Sequence, residues 1–231
     1  MFSLFLPERC VHCEEPSAHA RNPKTKEPFS HYLCDVCLRM LHHQETPEEQ
    51  TIRDEFGKLG KIIEYAHCRA AYTFVAGSPI QSVIHSFKYD GMVKLAAQFG
   101  KSISFLTPRE VNVIIPVPLH RTRLAERGYN QADAIAKAIA SQTKANVVPA
   151  SKRARPTPSQ TNLPLPKRIE NMRGAFVLTR DAEKIKGKNI LIVDDVMTTG
   201  STLASVAEAL LHAKPKSIST LALAIAEQTA Q

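Results

Sequence analysis

The sequence predicts an α/β fold built on a parallel sheet, together with a small four-cysteine region at the amino terminus. Three observations support this prediction. Short apolar runs typical of buried strands alternate with stretches of helical periodicity. Polar and charged residues follow two of these runs, as happens where ligands collect at the carboxyl edge of a parallel sheet. Four cysteines stand apart near the amino terminus. Strands are expected at 70–75, 111–117, 146–149, 176–178, 190–193 and 216–225, and helices at 79–89, 92–105, 131–142 and 201–213.

The composition allows one medium domain with a small appendage. The chain has 231 residues, of which 43% are hydrophobic, so it can bury a sizeable core. No apolar run approaches the roughly 20 residues that a membrane-spanning helix needs. The apolar start is too short for a signal peptide and lacks its basic end. We therefore expect a cytoplasmic protein without membrane insertion.

Residues 1–45 are predicted to form a zinc-finger region. Two Cys-x-x-Cys pairs lie 20 residues apart, at the edge of the four-cysteine zinc pattern: Cys10, Cys13, Cys34 and Cys37. Each pair can chelate one side of a tetrahedral ion at about 2.3 Å per bond. Disulfides are the alternative, which a cytosolic location disfavours. His12, His19 and His31 are further candidate ligands, although four thiolates already complete the shell.

A connector is expected over 46–69, before a main domain over 70–231. The fifth cysteine, Cys68, follows His67 and has no recognisable partners for a nucleophile. We expect it to be a buried small apolar residue, and the sequence leaves open whether either residue joins a second metal site. In the next helix, apolar residues recur at helical spacing up to Phe87. Lys88 follows, and it is equally a phosphate ligand or a surface lysine.

Basic residues cluster in one contiguous segment, 120–173. This segment has 11 of the 30 Lys and Arg but only 3 of the 22 Asp and Glu, so it carries the whole net charge of +8. Such a segment attracts phosphates on a small ligand or on nucleic acid, or it is a solvated basic surface. Candidate pyrophosphate or DNA ligands in and near it, with Lys88, are Pro118, Arg121, Arg123, Arg127, Arg153, Arg155, Lys167 and Arg168.

Within that segment, residues 151–174 are predicted to be a flexible basic loop. Four prolines interrupt any regular pattern. An irregular stretch of this length inside a domain is usually a lid, a binding loop or a disordered segment. Hydroxyl and amide side chains over 157–162 favour a lid.

The strand at 190–193 is followed by an acidic pair, a compact loop and a helix. Backbone N–H groups of such a loop and the helix N-terminus bind a phosphate, and Gly200 would keep steric bulk away from it. The two carboxylates suit a vicinal pair of sugar hydroxyls, so the expected ligand is a ribose 5-phosphate. The candidate binding residues are Asp194, Asp195, Met197, Thr198, Thr199, Gly200, Ser201 and Thr202.

Other interpretations of the acidic pair are weaker. Phosphoacceptor receiver domains also contain a strand that ends in two aspartates, but there the motif lies in the first strand. A plain strand–turn–helix with solvated aspartates leaves the Thr-Thr-Gly-Ser-Thr run at 198–202 unexplained. No Gly-x-x-x-x-Gly-Lys-Ser/Thr loop is present, which argues against a nucleotide hydrolase of that type.

The acid-pair loop resembles the 5-phosphoribosyl-1-pyrophosphate (PRPP) motif of type I phosphoribosyltransferases. Together with the cysteine pairs, three further blocks resemble the ComF family, also called ComFC or GntX proteins: Phe87-Lys88-Tyr89-Asp90-Gly91, Pro116-Val117-Pro118-Leu119-His120 and Arg127-Gly128-Tyr129-Asn130-Gln131. The resemblance runs from Cys10 to about Ala226. It implies a Rossmann-type parallel sheet with helices on both faces, an amino-terminal zinc finger, and a role in natural transformation.

Two functions follow from these features. In the first, the protein handles single-stranded DNA, with other DNA-uptake proteins as further partners, and carries a PRPP site. In the second, it is an active phosphoribosyltransferase in which Mg²⁺ bridges PRPP oxygens and positioning and electrostatics do most of the work. The sequence names no acceptor, no catalytic residue and no oligomeric state.

Overall fold

The computed structural model describes residues 9–17, 32–42, 46–59, 63–155 and 174–226, and of residue 42 only the backbone. Short 3₁₀ helices lie at Ser104–Leu106 and Arg180–Ile185. The other elements are α1 (Asp35–His42), α2 (Glu49–Gly57), β1 (Cys68–Phe74), α3 (Pro79–Tyr89), α4 (Val93–Ser102), β2 (Val113–Pro116), α5 (Arg121–Arg127), α6 (Gln131–Ala140), β3 (Asn146–Val147), β4 (Ser151–Arg153), β5 (Phe176–Leu178), β6 (Asn189–Met197), α7 (Ser201–Leu211) and β7 (Ser217–Ala226).

Five strands form a parallel sheet in the order β1-β7-β6-β2-β3. Strand β6 lies at its centre, and Val193 pairs with both Pro116 of β2 and Leu221 of β7. The carboxyl ends of β2 and β6 are therefore neighbours. The two polar clusters that the sequence places after these strands meet at this edge.

Helices cover both faces of the sheet, because apolar side chains alternate along each strand. Leu191 and Val193 of β6 pack into one core together with α3, α4 and α6. Ile190 and Ile192 pack into a second core together with α2 and α7. The predicted α/β fold with a parallel sheet is confirmed. Of the helices in the described ranges, none is both long and apolar enough to cross a membrane.

The cysteine region packs directly on the main sheet's helices. Leu33, Leu38 and Leu41 belong to the same buried core as α3. His12 Nδ1 also lies 3.0 Å from Ser82 Oγ on α3. In the expected connector, α2 buries Ile52 and Phe56. The division of the chain at residues 45 and 69 stays a prediction, but these segments share their cores with the sheet.

The prediction of an irregular loop over 151–174 is wrong for its first three residues. Ser151–Arg153 forms β4, which pairs antiparallel with β5, so that Arg153 lies opposite Phe176. A three-residue strand gives no periodic signal, and its partner lies beyond the loop, so local composition could not reveal it. Residues 156–173, with the candidate ligands Lys167 and Arg168, lie outside the described residues.

Helix α5 was not predicted. It buries none of its side chains, so it lacks the apolar stripe on which helix prediction depends. Its signals lie at the ends instead. The His120 side chain accepts from the Thr122 backbone N–H, and Gly128 ends the helix with φ +76°, a left-handed conformation that glycine adopts without strain.

Candidate functional site

The four amino-terminal cysteines converge on one point. Their sulfur atoms all lie within 4.8 Å of one another, and Cys13 Sγ is 3.6 Å from Cys34 Sγ. In a tetrahedral site with Zn–S bonds of about 2.3 Å, neighbouring sulfurs are about 3.8 Å apart. The thiols are free rather than paired in disulfides. The cluster therefore fits a tetrahedral metal ion.

Short turns hold these cysteines in place. The Cys10 N–H donates to the Glu15 carbonyl at 2.8 Å, and the Val11 N–H donates to the Tyr32 carbonyl at 2.8 Å. The second contact joins the two halves of the cluster. Burial raises the pKa of the Cys37 thiol, and hydrogen bonds to the other three cysteines raise it further. Ionisation of this thiol therefore needs a neighbouring cation, which a bound metal supplies.

The acidic pair lies at the carboxyl end of β6. Asp194 is buried, with 8% of its surface exposed, and its Oδ1 accepts from the Asp195 N–H at 2.9 Å. Asp195 Oδ2 lies 3.8 Å from Lys88 Nζ at the end of α3. Burial and the charge of Asp195 raise the pKa of Asp194 well above its usual value. A buried carboxyl with a perturbed pKa beside an anion-binding loop is typical of a functional site.

The loop after β6 leads into the N-terminus of α7. Thr199 Oγ1 donates to Ser201 Oγ at 3.2 Å and accepts from the Ser201 N–H at 3.5 Å. Thr198 is exposed and Thr202 is half-buried. Gly200 occupies the N-cap position and brings no capping side chain. The first turn of α7, with its partial positive charge, lies beside exposed and half-buried threonines, an arrangement that suits an anion.

The structure adds a packing reason for the glycine at position 200. Its φ is +72°, in the left-handed region. A Cβ built there would lie 2.9 Å from Phe56 Cε1 and 3.0 Å from Met197 Cε, closer than carbon atoms approach. The missing side chain therefore makes room for α2 packing on the loop.

Arg153 of β4 lies where the charges of both Arg123 and Asp194 act on it. The Arg153 guanidinium lies 5.5 Å from the centre of the Phe176 ring. Burial lowers the pKa of Arg153, the charge of Arg123 lowers it further, and the charge of Asp194 opposes both. Arg153 is thus within electrostatic range of a second arginine and of the buried carboxyl. The other candidates Arg121 and Arg155 are exposed.

The block between α5 and α6 ties three elements together. Asn130 caps α6 by accepting from the Ala132 N–H at 3.1 Å and donates to the Val117 carbonyl at 2.9 Å. Arg127 Nη1 donates to Gln131 Oε1 at 3.2 Å. Tyr129 Oη and Gln131 Nε2 both donate to the Phe87 carbonyl in α3. The sequence marks this whole block by its family resemblance but predicts only Arg127 as a candidate ligand. An asparagine directly before an apolar helix is the signal that could have indicated the cap.

Comparison with known proteins identifies the family. A family model described as "Phosphoribosyl transferase domain" matches residues 124–230. Competence protein F of Haemophilus influenzae is 29% identical over 225 residues, covering 89% of this chain and 92% of the relative. DNA utilization protein YhgH of Salmonella typhi is 30% identical over 242 residues, covering 90% and 93%. The chain belongs to the ComF family.

Competence protein ComFC of Bacillus subtilis is a further ComF relative, 25% identical over 160 residues, covering 67% of this chain and 62% of the relative. Among solved structures, a glutamine PRPP amidotransferase from B. subtilis matches with a TM-score of 0.40 and 18% identity. It covers 55% of this chain and 26% of that one. A likeness this distant supports no statement about function.

This ComF-family chain shows no second metal cluster within the described ranges, where the four cysteines are the one group of clustered metal-ligating side chains. His67 Nε2 lies 3.1 Å from Glu110 Oε1 instead. Cys68 is fully buried in β1, and burial raises the pKa of its thiol to about 11. This matches the expectation of a buried, inert cysteine.

Proposed function

We propose that this protein binds PRPP at the carboxyl edge of its sheet. The observation that carries the proposal is the acid pair on the central strand, followed directly by the loop at 198–202 and the N-terminus of α7. The 5-phosphate would contact the loop and the first turn of α7, and the ribose hydroxyls would donate to Asp194 and Asp195. The pyrophosphate would lie near Pro118 and the arginines of α5, with Mg²⁺ supplying charge neutralisation when bound.

The charges around the acid pair support this assignment. Lys88 lies beside Asp195, and Arg153 is within electrostatic range of Asp194. Cations from α3 and β4 therefore each act on one of the two carboxylates. In a ligand complex they would stabilise phosphate oxygens that the carboxylates alone would repel.

Calorimetric titration with PRPP and Mg²⁺ tests the ligand site. Free PRPP at about 100 times its dissociation constant should raise the free energy of unfolding by roughly 2.7 kcal/mol, which is seen as a melting shift. Asp194→Ala combined with Asp195→Ala should abolish binding, whereas Asp181→Ala, which changes a half-buried aspartate paired with Lys184, should not change it. Absence of heat and of any melting shift in the wild-type protein contradicts the proposal.

We also propose that the protein handles single-stranded DNA in natural transformation, in the cytoplasm and with other DNA-uptake proteins. Support comes from its curated relatives, which are named competence proteins and DNA utilization proteins, and from the basic segment at 120–173. Exposed Arg121, Lys152 and Arg155 lie in the described part of that segment. Backbone phosphates would bind these cations without sequence readout.

The DNA proposal predicts a steep salt dependence. Each neutralised phosphate of a single strand contributes a log–log slope of roughly −0.7. Arg121→Ala with Arg155→Ala should flatten this slope and weaken binding to an oligo-dT strand. The matched control removes the same charge from the opposite edge of the sheet, at exposed Lys214 and Lys216 before β7. Equal losses from the two pairs would mean a nonspecific charge effect and contradict a defined DNA surface.

We propose zinc as the ion of the four-cysteine cluster, in a structural role. Four thiolates without an open position are the donor set of structural rather than catalytic zinc. The sulfur spacing at Cys13 and Cys34 supports the proposal.

A second candidate function is transferase activity, favoured by the match to the phosphoribosyl transferase domain model over 124–230. In that reaction the bond from the sugar C1 to pyrophosphate breaks and a bond to an acceptor forms. Pyrophosphate release from PRPP, measured with and without single-stranded DNA or free nucleobases, separates the two functions. Tight PRPP binding without release under all these conditions favours a binding role.

A further inference from the structure

The end of α3 is fixed by two side chains from a distant segment. The Phe87 carbonyl accepts from Tyr129 Oη at 2.7 Å and from Gln131 Nε2 at 2.9 Å. Phe87 lies two residues before the last residue of α3, so its carbonyl is one of the four without a partner inside the helix. Water or a single donor would satisfy it. Here two donors from one short segment converge on it.

The next residue in the chain is Lys88, which reaches the acid pair. Its Nζ lies 3.8 Å from Asp195 Oδ2. The Phe87 side chain is fully buried in the core, so both the side chain and the carbonyl of that residue are held. The backbone from which Lys88 projects is therefore fixed on its N-terminal side.

We infer that Tyr129 and Gln131 are positioning residues that hold Lys88 against Asp195 through the Phe87 carbonyl. This inference rests on the proposed function, since it assigns Lys88 to the ligand site. Neither side chain needs to touch the ligand. Each acts by fixing the direction in which Lys88 leaves the helix.

The chemistry of the donors supports this role. Burial and the negative charge of Asp195 raise the pKa of Tyr129 to about 12, so its hydroxyl keeps its proton and remains a donor at neutral pH. Gln131 is almost fully buried, with 1% of its surface exposed. Its Oε1 accepts from Arg127 while its Nε2 donates to Phe87, which fixes the orientation of its amide.

The same segment also holds the end of β2. Asn130, between the two donors, binds the Val117 carbonyl, directly before the turn that leads to the arginines of α5. Residues 127–131 therefore set the distance between Lys88 and the β2–α5 turn. These are two of the positively charged parts of the proposed site.

PRPP affinity in a double-mutant cycle tests the inference. Tyr129→Phe removes one donor and keeps the ring, and should weaken PRPP binding about five-fold, the loss of one ordinary hydrogen bond. Gln131→Met should act in the same direction. If both act through Lys88, neither should weaken binding further once Lys88→Met is present. Equal losses with and without Lys88 would overturn the inference.

Tyr72→Phe is the matched control. Tyr72 is a buried tyrosine of β1 that packs edge-on against Phe99, the same ring that Phe87 contacts edge-on, but it is not one of the two donors to the Phe87 carbonyl. It should lower thermal stability without changing PRPP affinity. An affinity loss as large as that of Tyr129→Phe would mean that both changes act through general stability, which also overturns the inference.

A ligand-free measurement separates this inference from the PRPP proposal. The coupling between Lys88→Met and Asp195→Asn in the free energy of unfolding reports how well the two charges are aligned. We expect Tyr129→Phe to reduce this coupling. Reduced coupling in a protein that binds no PRPP supports the positioning role and refutes the ligand site. Unchanged coupling in a protein that binds PRPP does the reverse.

Discussion

The cysteine cluster and the acid-pair loop are built in opposite ways. The cluster takes its four ligands from two Cys-x-x-Cys pairs, one in a turn and the other at the start of α1, and every ligand is a thiol. The acid-pair region takes its charged groups from α3, α5, β4 and β6, with phosphate donors expected from α7. One site is therefore assembled almost locally, and the other depends on the whole sheet.

This difference also appears in the electrostatics. A divalent metal ion would offset half of the charge of the four thiolates and bind all of their sulfur atoms, so a loaded cluster should stabilise the fold. The acid pair places a buried carboxyl with a raised pKa beside a second carboxyl, which costs stability until a ligand or proton arrives. A metal cluster of the first kind stabilises the fold. A site of the second kind costs stability without its ligand, and the rest of the fold keeps it in place for binding.

Helix α3 lies between the two. Near its N-terminus Ser82 contacts His12 of the cysteine region, and at its C-terminus Lys88 contacts Asp195. Loss of one site should therefore have a measurable, though smaller, effect at the other.

The largest expected effect is loss of the metal. Cys37→Ser should remove the ion and lower the free energy of unfolding by at least about 3 kcal/mol, because metal binding is coupled to folding. Elemental analysis and urea unfolding measure both quantities. Cys68→Ala, in β1, should leave the metal content unchanged. Less than about half an equivalent of zinc in wild-type protein purified without chelator would contradict the structural-zinc proposal.

A second effect distinguishes the packing of the acid-pair loop from its backbone conformation. Gly200→Ala should cost about 2–3 kcal/mol in unfolding, from the left-handed φ and from overlap with Phe56. Gly187→Ala is the control, since Gly187 has φ +67° and open space around it, and should cost only about 1 kcal/mol. Equal costs would show that α2 does not press on the loop.

The third predicted effect is a gain in the free energy of unfolding rather than a loss. A raised pKa means that the folded protein binds the Asp194 proton more tightly than the unfolded chain, so stability falls as pH rises from about 4 through the folded-state pKa. Asp194→Asn removes this penalty and should stabilise the ligand-free protein at pH 7 by about 0.5–2 kcal/mol, while weakening PRPP binding. The gain should shrink toward pH 4. A destabilised variant at pH 7 would mean that the carboxylate is structurally needed.

The smallest effect concerns the contact between the two regions. His12→Ala and Ser82→Ala should each cost about 0.5–1 kcal/mol, and their coupling in a double-mutant cycle should be about 0.5 kcal/mol. Thermal unfolding of the metal-loaded protein measures this. Strictly additive costs would show that the cysteine region and α3 are energetically independent at this contact.

The family, the parallel sheet and the cysteine cluster could all be predicted from the sequence. Each depends on a signal within a short window: apolar periodicity for strand β6 and helix α3, and the Cys-x-x-Cys spacing for the cluster. Strand β6 extends further than its apolar run, to Met197, because its last residues pair with β7 regardless of their polarity. Backbone pairing, unlike burial, does not require an apolar side chain.

The contacts that hold the acid-pair region together could not be predicted from the sequence and are seen only in the tertiary structure. Phe87 receives its two hydrogen bonds from residues 42 and 44 positions away. Phe56 lies over Gly200, and Arg153 lies over Phe176 across the ends of the loop. No local pattern encodes such contacts, because they depend on which elements the sheet topology places side by side. The residue types were visible in the sequence, and the fold determined their partners.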